Sequence, residues 1–436
     1  MKISEIKSAV AGGKYDSAFR ALYGDGADLS GVRERYEKAI DGFAGLYGKE
    51  LPADADVKLF SVPGRSEISG NHTDHNRGKV LAASISLDII AVAAKNGRDE
   101  IRIKSEGFDE DIVSTADVEY VKESEKYKAS AIIRGMCDGF KKDGYQIGGF
   151  FAYTTSSVLK GSGLSSSAAF EVMVGNMLSN FFNGRKVTAV EIAKKAQYSE
   201  NVHFGKPCGL MDQTACAVGG FVAIDFKDPG EPVVEKLPFD LSAQGISLCI
   251  VNTGGNHADL NEDYASVPAD MKAAARFLGK EVLRETSKQE LLEKATEIRE
   301  KLGDMCLLRA LHFFNENERV TKQKKALEDG NLDRFLSGVR NSGLSSATML
   351  QNVYTVKNVK EQGLTVALAL AGEVLNGVPH SAYRVHGGGF AGTIQAFVPS
   401  EKVAEFTETL EGVFGKGSVY VLSVRKYGAV MLDNLA

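Results

Sequence analysis

Four short stretches of the sequence gather residues able to do chemistry. The first, PGRSEISGNHTDHNRG (residues 63–78), packs arginines, a glutamate, an aspartate, two histidines and two asparagines between glycines. Burying so many hydrogen-bonding groups is costly unless each finds a partner, so the stretch reads as converging on a polar ligand. The second, KGSGLSSSAAFEV (160–172), is a Gly-Ser loop running straight into an apolar helix. Glycines let backbone N–H groups approach an oxyanion, a helix N-terminus adds a favourable dipole, and Ser165, Ser166 and Ser167 add hydroxyls. The string lacks the lysine of a Walker A loop and does not match GxGxxG. A serine cap on a glycine turn is the plainer reading of any single GSG; three serines and two glycines together point to phosphate. The third, ENVHFGKPCGLMDQ (200–213), sets Glu200 on a helix and Asp212 beside Leu210 and Met211. Burial would perturb that carboxylate for a role, or the aspartate simply caps a helix. The fourth, YRVHGGGFAGTIQAFV (383–398), has four glycines in six residues before a strand. Close approach of backbone to a ligand and a tight turn needing positive φ both remain open there.

The elements that must position these stretches follow from pattern. VKLFSVPG (57–64) reads as a strand stopped by Pro-Gly, and 79–95 and 100–106 as further strands. Residues 126–144 have helical spacing, with Ile132, Ile133, Met136 and Phe140 on one apolar face. A strand at 148–156 leads into the Gly-Ser loop and its helix; a second helix covers 188–204 and a strand 219–226. The proline-rich, polar segment that follows is placed as a domain boundary. Beyond it lie a strand at 246–253, a mostly helical run to about residue 377, and two closing strands. Strands and helices mix without a βαβ beat, so the fold class is α+β, and 436 residues exceed one ordinary core. A formal net charge of -5 argues against nonspecific nucleic-acid binding. No run approaches the roughly 18 apolar residues of a membrane span, and the N-terminus has no apolar signal core. Five scattered cysteines without a CxxC pair suit reduced thiols, so a cytoplasmic location is expected, and no Cys/His cluster has zinc spacing.

In this order, the stretches resemble the GHMP superfamily of small-molecule kinases and, within it, the galactokinase family. The first is similar to the family signature PGRxNLIGEHTDYNxGxVLP, matched here by Pro63, Gly64, Arg65, Gly70, His72, Thr73, Asp74, Asn76, Gly78, Val80 and Leu81. The second resembles the phosphate loop PxGxGLSSSAA, CGLMDQ the catalytic CGIMDQ, and the fourth the loop GGGFGG. Segments 252–264 and 309–320 also look like galactokinase segments, so the likeness spans about residues 60–398.

The resemblance implies a two-domain GHMP kinase fold with the active site in the cleft between residues 1–230 and 231–436, the final strand free to return to the first domain. It implies an ATP-dependent, Mg²⁺-requiring kinase acting on the anomeric C1 hydroxyl of galactose. Galacturonate or L-arabinose are alternative substrates, and a non-catalytic sugar sensor is the alternative of another class. Asp212 then faces the C1 hydroxyl and Arg65 stands beside it. Asn71, His72, Asp74, Gly209 and Tyr264 line the sugar; Gly161, Ser162, Gly163, Leu164, Ser165, Ser166 and Ser167 hold ATP. Glu200 and Ser167 hold the metal, and Gly387, Gly388, Gly389 and Gly392 form a loop closing the site. The expected partners are a sugar and ATP, with no nucleic acid or membrane.

The sequence departs from the signature in places. Glu67 and Ser69 stand in SEIS where xNLI is usual, and His75 replaces its tyrosine. Asn71 replaces a glutamate to which the family assigns the sugar's C6 hydroxyl; the amide keeps the shape, loses the charge and gains a donor. His203 and His312 are expected to be satisfied structural histidines.

Overall fold

The computed structural model describes residues 1–158, 163–255 and 260–435. Three helices open the chain: α1 (Ile3–Ala11), α2 (Asp16–Tyr23) and α3 (Leu29–Tyr47). They bury Phe19, Tyr36 and Phe43 against Ile90, Val92 and Phe151 on one face of the first sheet. That sheet is built from β1 (Lys58–Ser69), β2 (Lys79–Lys95), β3 (Glu100–Ser105), β4 (Glu110–Ser114) and β5 (Phe150–Ser156), with α4 (Ala129–Lys142) inserted before β5. Its other face carries α4, α5 (Ser166–Phe182), α6 (Ala189–Tyr198) and α7 (Met211–Val218). Ile132, Ile133, Met136 and Phe140 are all buried there, as their helical spacing requires.

β2 organises the sheet. Its C-terminal half pairs antiparallel with β5, and its first residues pair with β6 (Phe221–Asp225), which pairs in turn with β7 (Val233–Leu237). The proline-rich segment read as a boundary therefore contributes a strand to the first sheet. Val233 to Leu237 lie between Pro232 and Pro238, which suits an edge strand that pairs on one side only.

The second sheet has the order β11-β8-β10-β9, from β8 (Ile246–Asn252), β9 (Ala382–Val385), β10 (Thr393–Pro399) and β11 (Val419–Leu422), all antiparallel. Between β8 and β9 run α8 (Asn261–Phe277), α9 (Lys288–Glu293), α10 (Ala295–Leu302), α11 (Asp304–Glu328), α12 (Leu332–Ser345) and α13 (Gly363–Leu375), with α14 (Val403–Phe414) before β11. Phe335 and Phe397 of this half pack into the same core as Phe60 and Leu81 of the first sheet. A last short strand, β12 (Val430–Met431), pairs with β1 in the first sheet. Among the described residues, no helix is long and apolar enough to cross a membrane.

One local expectation is corrected. Pro63-Gly64 does not stop β1; the strand continues to Ser69 with register shifts after Pro63 and after Glu67. A side chain at Gly64 would lie 2.8 Å from the carbonyl of Leu164, so glycine lets the strand approach the Gly-Ser loop. Arg65 N–H donates to that carbonyl at 3.1 Å. Such irregularities re-aim side chains, and here the one re-aimed is Arg65.

Candidate active site

The kinked strand β1, the loop before α5 and the N-terminus of α7 meet at one ion pair. Arg65 donates from Nε to Oδ1 of Asp212 and from Nη2 to Oδ2, each at 2.7 Å. Its Nη1 donates to the Gly163 carbonyl. Ser165, in the left-handed region at φ 59° and at the cap of α5, donates its hydroxyl to Asp212 Oδ2. Burial pushes the Asp212 pKa up, but Arg65 and Ser165 outweigh it, and the carboxyl lies below its ordinary range. Among the described residues, Oδ1 accepts only from Arg65, which leaves it a lone pair for an incoming hydroxyl. Leu164 is buried beneath this junction.

Beside the pair opens a cavity of about 720 Å³, with apolar walls that include Ile89, Phe108, Ile132, Val158, Phe170 and Phe204. Ser166, Ser167, Glu171 and Glu200 close its polar end. Glu200 is carried on a π-helical turn, Ser199–Phe204, that follows α6. Gln213 Nε2 bridges Oε2 of Glu171 and Oε2 of Glu200, each at 3.1 Å. Burial, then the neighbouring Glu200, raise the Glu171 pKa well above normal. Oε1 of Glu171 is buried without a partner. Two carboxylates and a serine hydroxyl are all hard oxygen donors, and an orphaned one lies among them. That set fits a cation that keeps waters and takes one or two protein oxygens. Gly161 and Ser162 lie outside the described residues.

On the other side of Asp212 lies the signature stretch. A side chain at Gly209 would lie 2.8 Å from Asp74 Oδ2, so the turn before α7 presses directly on that carboxylate. His72, at φ 57°, donates from Nε2 to the Gly388 carbonyl at 2.9 Å, since that carbonyl can only accept. Its Nδ1 is thereby the acceptor nitrogen, and burial holds the imidazole neutral, with a pKa down at about 4. Tyr264 Oη donates to the Gly389 carbonyl at 3.0 Å, its ring edge-on to Phe390. His75 is exposed beside Asp74.

Asn71 is placed differently from the expectation. It is 1% exposed, and its amide is engaged within the protein on both sides. Nδ2 donates to Glu67 Oε1 at 2.9 Å and to the Gly387 carbonyl at 2.6 Å. Oδ1 accepts from Asn352 Nδ2 at 2.8 Å. Both N–H donors are used, so the amide cannot also donate to a sugar hydroxyl without breaking a bond. Glu67 finds its account here too: it accepts from Asn71 and, at 3.4 Å, from the fully buried Arg384. The signature's asparagine and glutamate positions touch, and this chain has exchanged the two groups across one hydrogen bond. Ser69 donates to the buried Glu316 at 2.9 Å.

The glycine loop is thus pinned from beneath. The carbonyls of Gly387, Gly388 and Gly389 accept from Asn71, His72 and Tyr264 in succession. The Gly392 carbonyl accepts from Thr253. Gly389 has φ 78°, and a side chain there would lie 2.2 Å from the Asn352 carbonyl. Gly389→Ala should therefore cost roughly 1–3 kcal/mol of stability through strain and displacement. Denaturant titration should read that loss, together with a raised KM for the sugar as Tyr264 and His72 lose their anchor.

Two further histidines are buried and neutral. His312 bonds Ser345 Oγ and the Asn71 carbonyl, and burial pulls its pKa down to about 4; His386, between Ser66 and Thr393, falls to about 3. The unfolded chain binds these protons near pH 6.5, so the stability they contribute is present above that pH and is lost as pH falls toward 4. Each adds about 1.4 kcal/mol per pH unit in that window. His312→Gln should flatten the pH dependence of urea unfolding by about one proton. His203 bonds Asp138 at 3.0 Å through Nε2, but its Nδ1 is buried without a partner.

Residue-type patterns did not single out Glu171, Gln213, Asn352 or Glu316. Glu171 had a signal, a lone acid inside the apolar run of α5; Gln213 follows Asp212 directly. The others are brought in by tertiary packing.

Residues 129–220 match the family model GHMP kinases N terminal domain, and residues 41–95 the galactokinase galactose-binding signature. The galactokinase of Streptomyces lividans is 31% identical over 355 residues, covering 80% of this chain and 84% of that protein. The chain belongs to the galactokinase family. The galactokinase of Streptomyces coelicolor is 29% identical, covering 86% of this chain and 94% of that protein. The fold resembles Lactococcus lactis galactokinase, solved with galactose, at a TM-score of 0.72 and 24% identity over 89% of this chain and 98% of that one. Methanococcus jannaschii mevalonate kinase superposes at 0.59 with 13% identity, over 86% and 99% of the two chains. The GHMP kinase fold extends across the superfamily, and the family signature falls on β1 and β2.

Proposed function

We propose that this galactokinase-family chain transfers the γ-phosphoryl group of ATP to the C1 hydroxyl of galactose, giving galactose 1-phosphate and ADP. One observation carries the reading: the Arg65–Asp212 pair stands between the polar signature stretch on one side and the serine-lined cavity on the other. Phosphoryl transfer asks a protein mainly to position groups and neutralise charge. Asp212 Oδ1 accepts the C1 hydroxyl and aims its oxygen at the phosphoryl group. A carboxylate held ionised by Arg65 is a weak base, so it orients the hydroxyl early and takes its proton late. Arg65 balances the charge that builds on the transferring group.

The sugar's remaining hydroxyls are assigned to Asp74 and to Nδ1 of His72, with Gly209 and Tyr264 shaping the pocket. Asn71 is assigned to holding the glycine loop. Galactose is favoured over galacturonate or L-arabinose by the relatives named above. The nucleotide base fits the apolar cavity, with its phosphates toward Ser166, Ser167 and the start of α5. Ser167 and Glu200, with Glu171 behind, would hold Mg²⁺, which supplies charge neutralisation at the phosphates. The five free cysteines suit a reducing cytoplasm.

An ADP-release assay with galactose and ATP tests the reading. Turnover on galactose is expected; sugar binding without ADP release would identify a sensor instead.

A further inference from the structure

Between α11 and α12 lies a second cavity of about 450 Å³. Three cations line it: Arg319 and Lys322 from α11 and Arg334 from α12. The one acid on the lining, Glu318, is paired with Lys322 at 2.6 Å. Arg334 has no carboxylate within ion-pair distance among the described residues. Gln323 also lines the cavity, is 1% exposed, and has neither Oε1 nor Nε2 partnered. Buried amides are ordinarily hydrogen-bonded, so this unpartnered amide beneath the cavity wall leaves polar capacity unused next to the cations. Burial and nearby Arg384 push the Arg319 pKa down to about 10.

The cavity is wired to the sugar side by two hydrogen-bond routes. Arg319 pairs with the fully buried Glu316, whose Oε1 accepts from Ser69 Oγ and Gly70 N, each at 2.9 Å. Ser345, on the cavity wall, bonds His312 at 2.9 Å, and His312 reaches the Asn71 carbonyl at 2.8 Å. Both routes end at residues 69–71, immediately before His72 and Asp74.

We propose that the α11–α12 cavity is a second ligand site, for a small phosphate-bearing molecule, and that its occupancy is felt in the sugar pocket through Arg319–Glu316 and Ser345–His312. Arginine and lysine at a concave site suit a phosphate. Asn341 on the lining can meet hydroxyls on an attached carbon skeleton, and the volume suits a small ester. A phosphate drawn to Arg319 competes with Glu316 for the guanidinium and loosens its hold on Ser69 and Gly70.

Calorimetric titration of the full chain tests this, with galactose and a non-hydrolysable ATP analogue blocking the active site. The probes are inorganic phosphate and ribose 5-phosphate; tighter binding of the ester would identify an organic ligand, and equal binding the free anion. Both Lys322 and Arg334 are exposed and remote from the catalytic pair, so K322E/R334E should fold and turn over normally. The expected result is saturable one-site binding weakened about ten-fold or more in the double variant. The galactose KM should shift at least about two-fold with probe in the unaltered protein only. Absent binding at millimolar probe, or equal binding by the variant, overturns the site. An unmoved KM overturns the link to the sugar pocket. The binding arm stands apart from the kinase reading, on which only the KM arm rests.

Discussion

Asp212→Asn should lower kcat on galactose by about 10²–10⁴ while leaving ATP affinity within about two-fold. The carboxylate is the only anion among the described residues that both touches Arg65 and keeps a lone pair toward the signature stretch. An asparagine keeps the shape and one acceptor oxygen. Its N–H₂ group, however, must turn toward either Arg65 or Ser165, both of which already donate. The hydroxyl would lose its orienting charge and its eventual proton acceptor, whereas the nucleotide cavity is lined by other residues. Single-turnover rates and nucleotide titration on the same preparation separate the two effects. Near-normal kcat in this variant would move the acceptor role elsewhere.

Arg65→Met has the second-largest expected effect, and its sign in pH is distinctive. In the native protein Arg65, together with Ser165, offsets burial and holds Asp212 below the ordinary carboxylate range. The ionised form is the useful one, so kcat/KM should stay flat as pH falls and drop only below the ordinary carboxylate range. Without the guanidinium, only Ser165 and weaker charges oppose burial, the Asp212 pKa rises, and the acid limb of kcat/KM moves toward neutrality. At neutral pH kcat should still fall by about 10²–10³, because the charge beside the transferring phosphoryl is gone. Stability should fall by less than the ~3–5 kcal/mol of a fully buried pair, because Asp212 keeps 33% of its side chain exposed. Arg65→Lys should restore the charge but not the two-point contact, and so recover only part of the rate.

Much of this site was legible because chemistry and turn formation leave marks on residue type. Gly-Ser loops, an aspartate after a turn and a glycine run each announce local backbone needs. The α+β class and most strands followed from period and composition. What stayed hidden depends on contact across the fold. Pro63-Gly64 reads locally as a stop, yet Gly64 is needed where strand and loop nearly touch. Val233–Leu237 sits in a proline-rich segment and becomes a strand because the edge of β6 is there to pair with it. Ser165 reads as a phosphate ligand, but its hydroxyl is on Asp212. Glu67 and Asn71 look like two separate departures from the signature, and only their 2.9 Å hydrogen bond shows them to be one exchange. That exchange moves the charge away from position 71 while keeping the loop tied down, which is why Asn71 holds the backbone of Gly387 instead of a free face.

The most direct test is the identity of the product. The protein would be incubated with ATP, Mg²⁺ and galactose, and the phosphorylated sugar assigned by ³¹P and ¹H NMR. Phosphate on the anomeric C1 oxygen, formed with one ADP per sugar and lost in Asp212→Asn, is the expected result. Phosphate on another hydroxyl, or ADP released without any sugar phosphate, would contradict the placement of the C1 hydroxyl against Asp212.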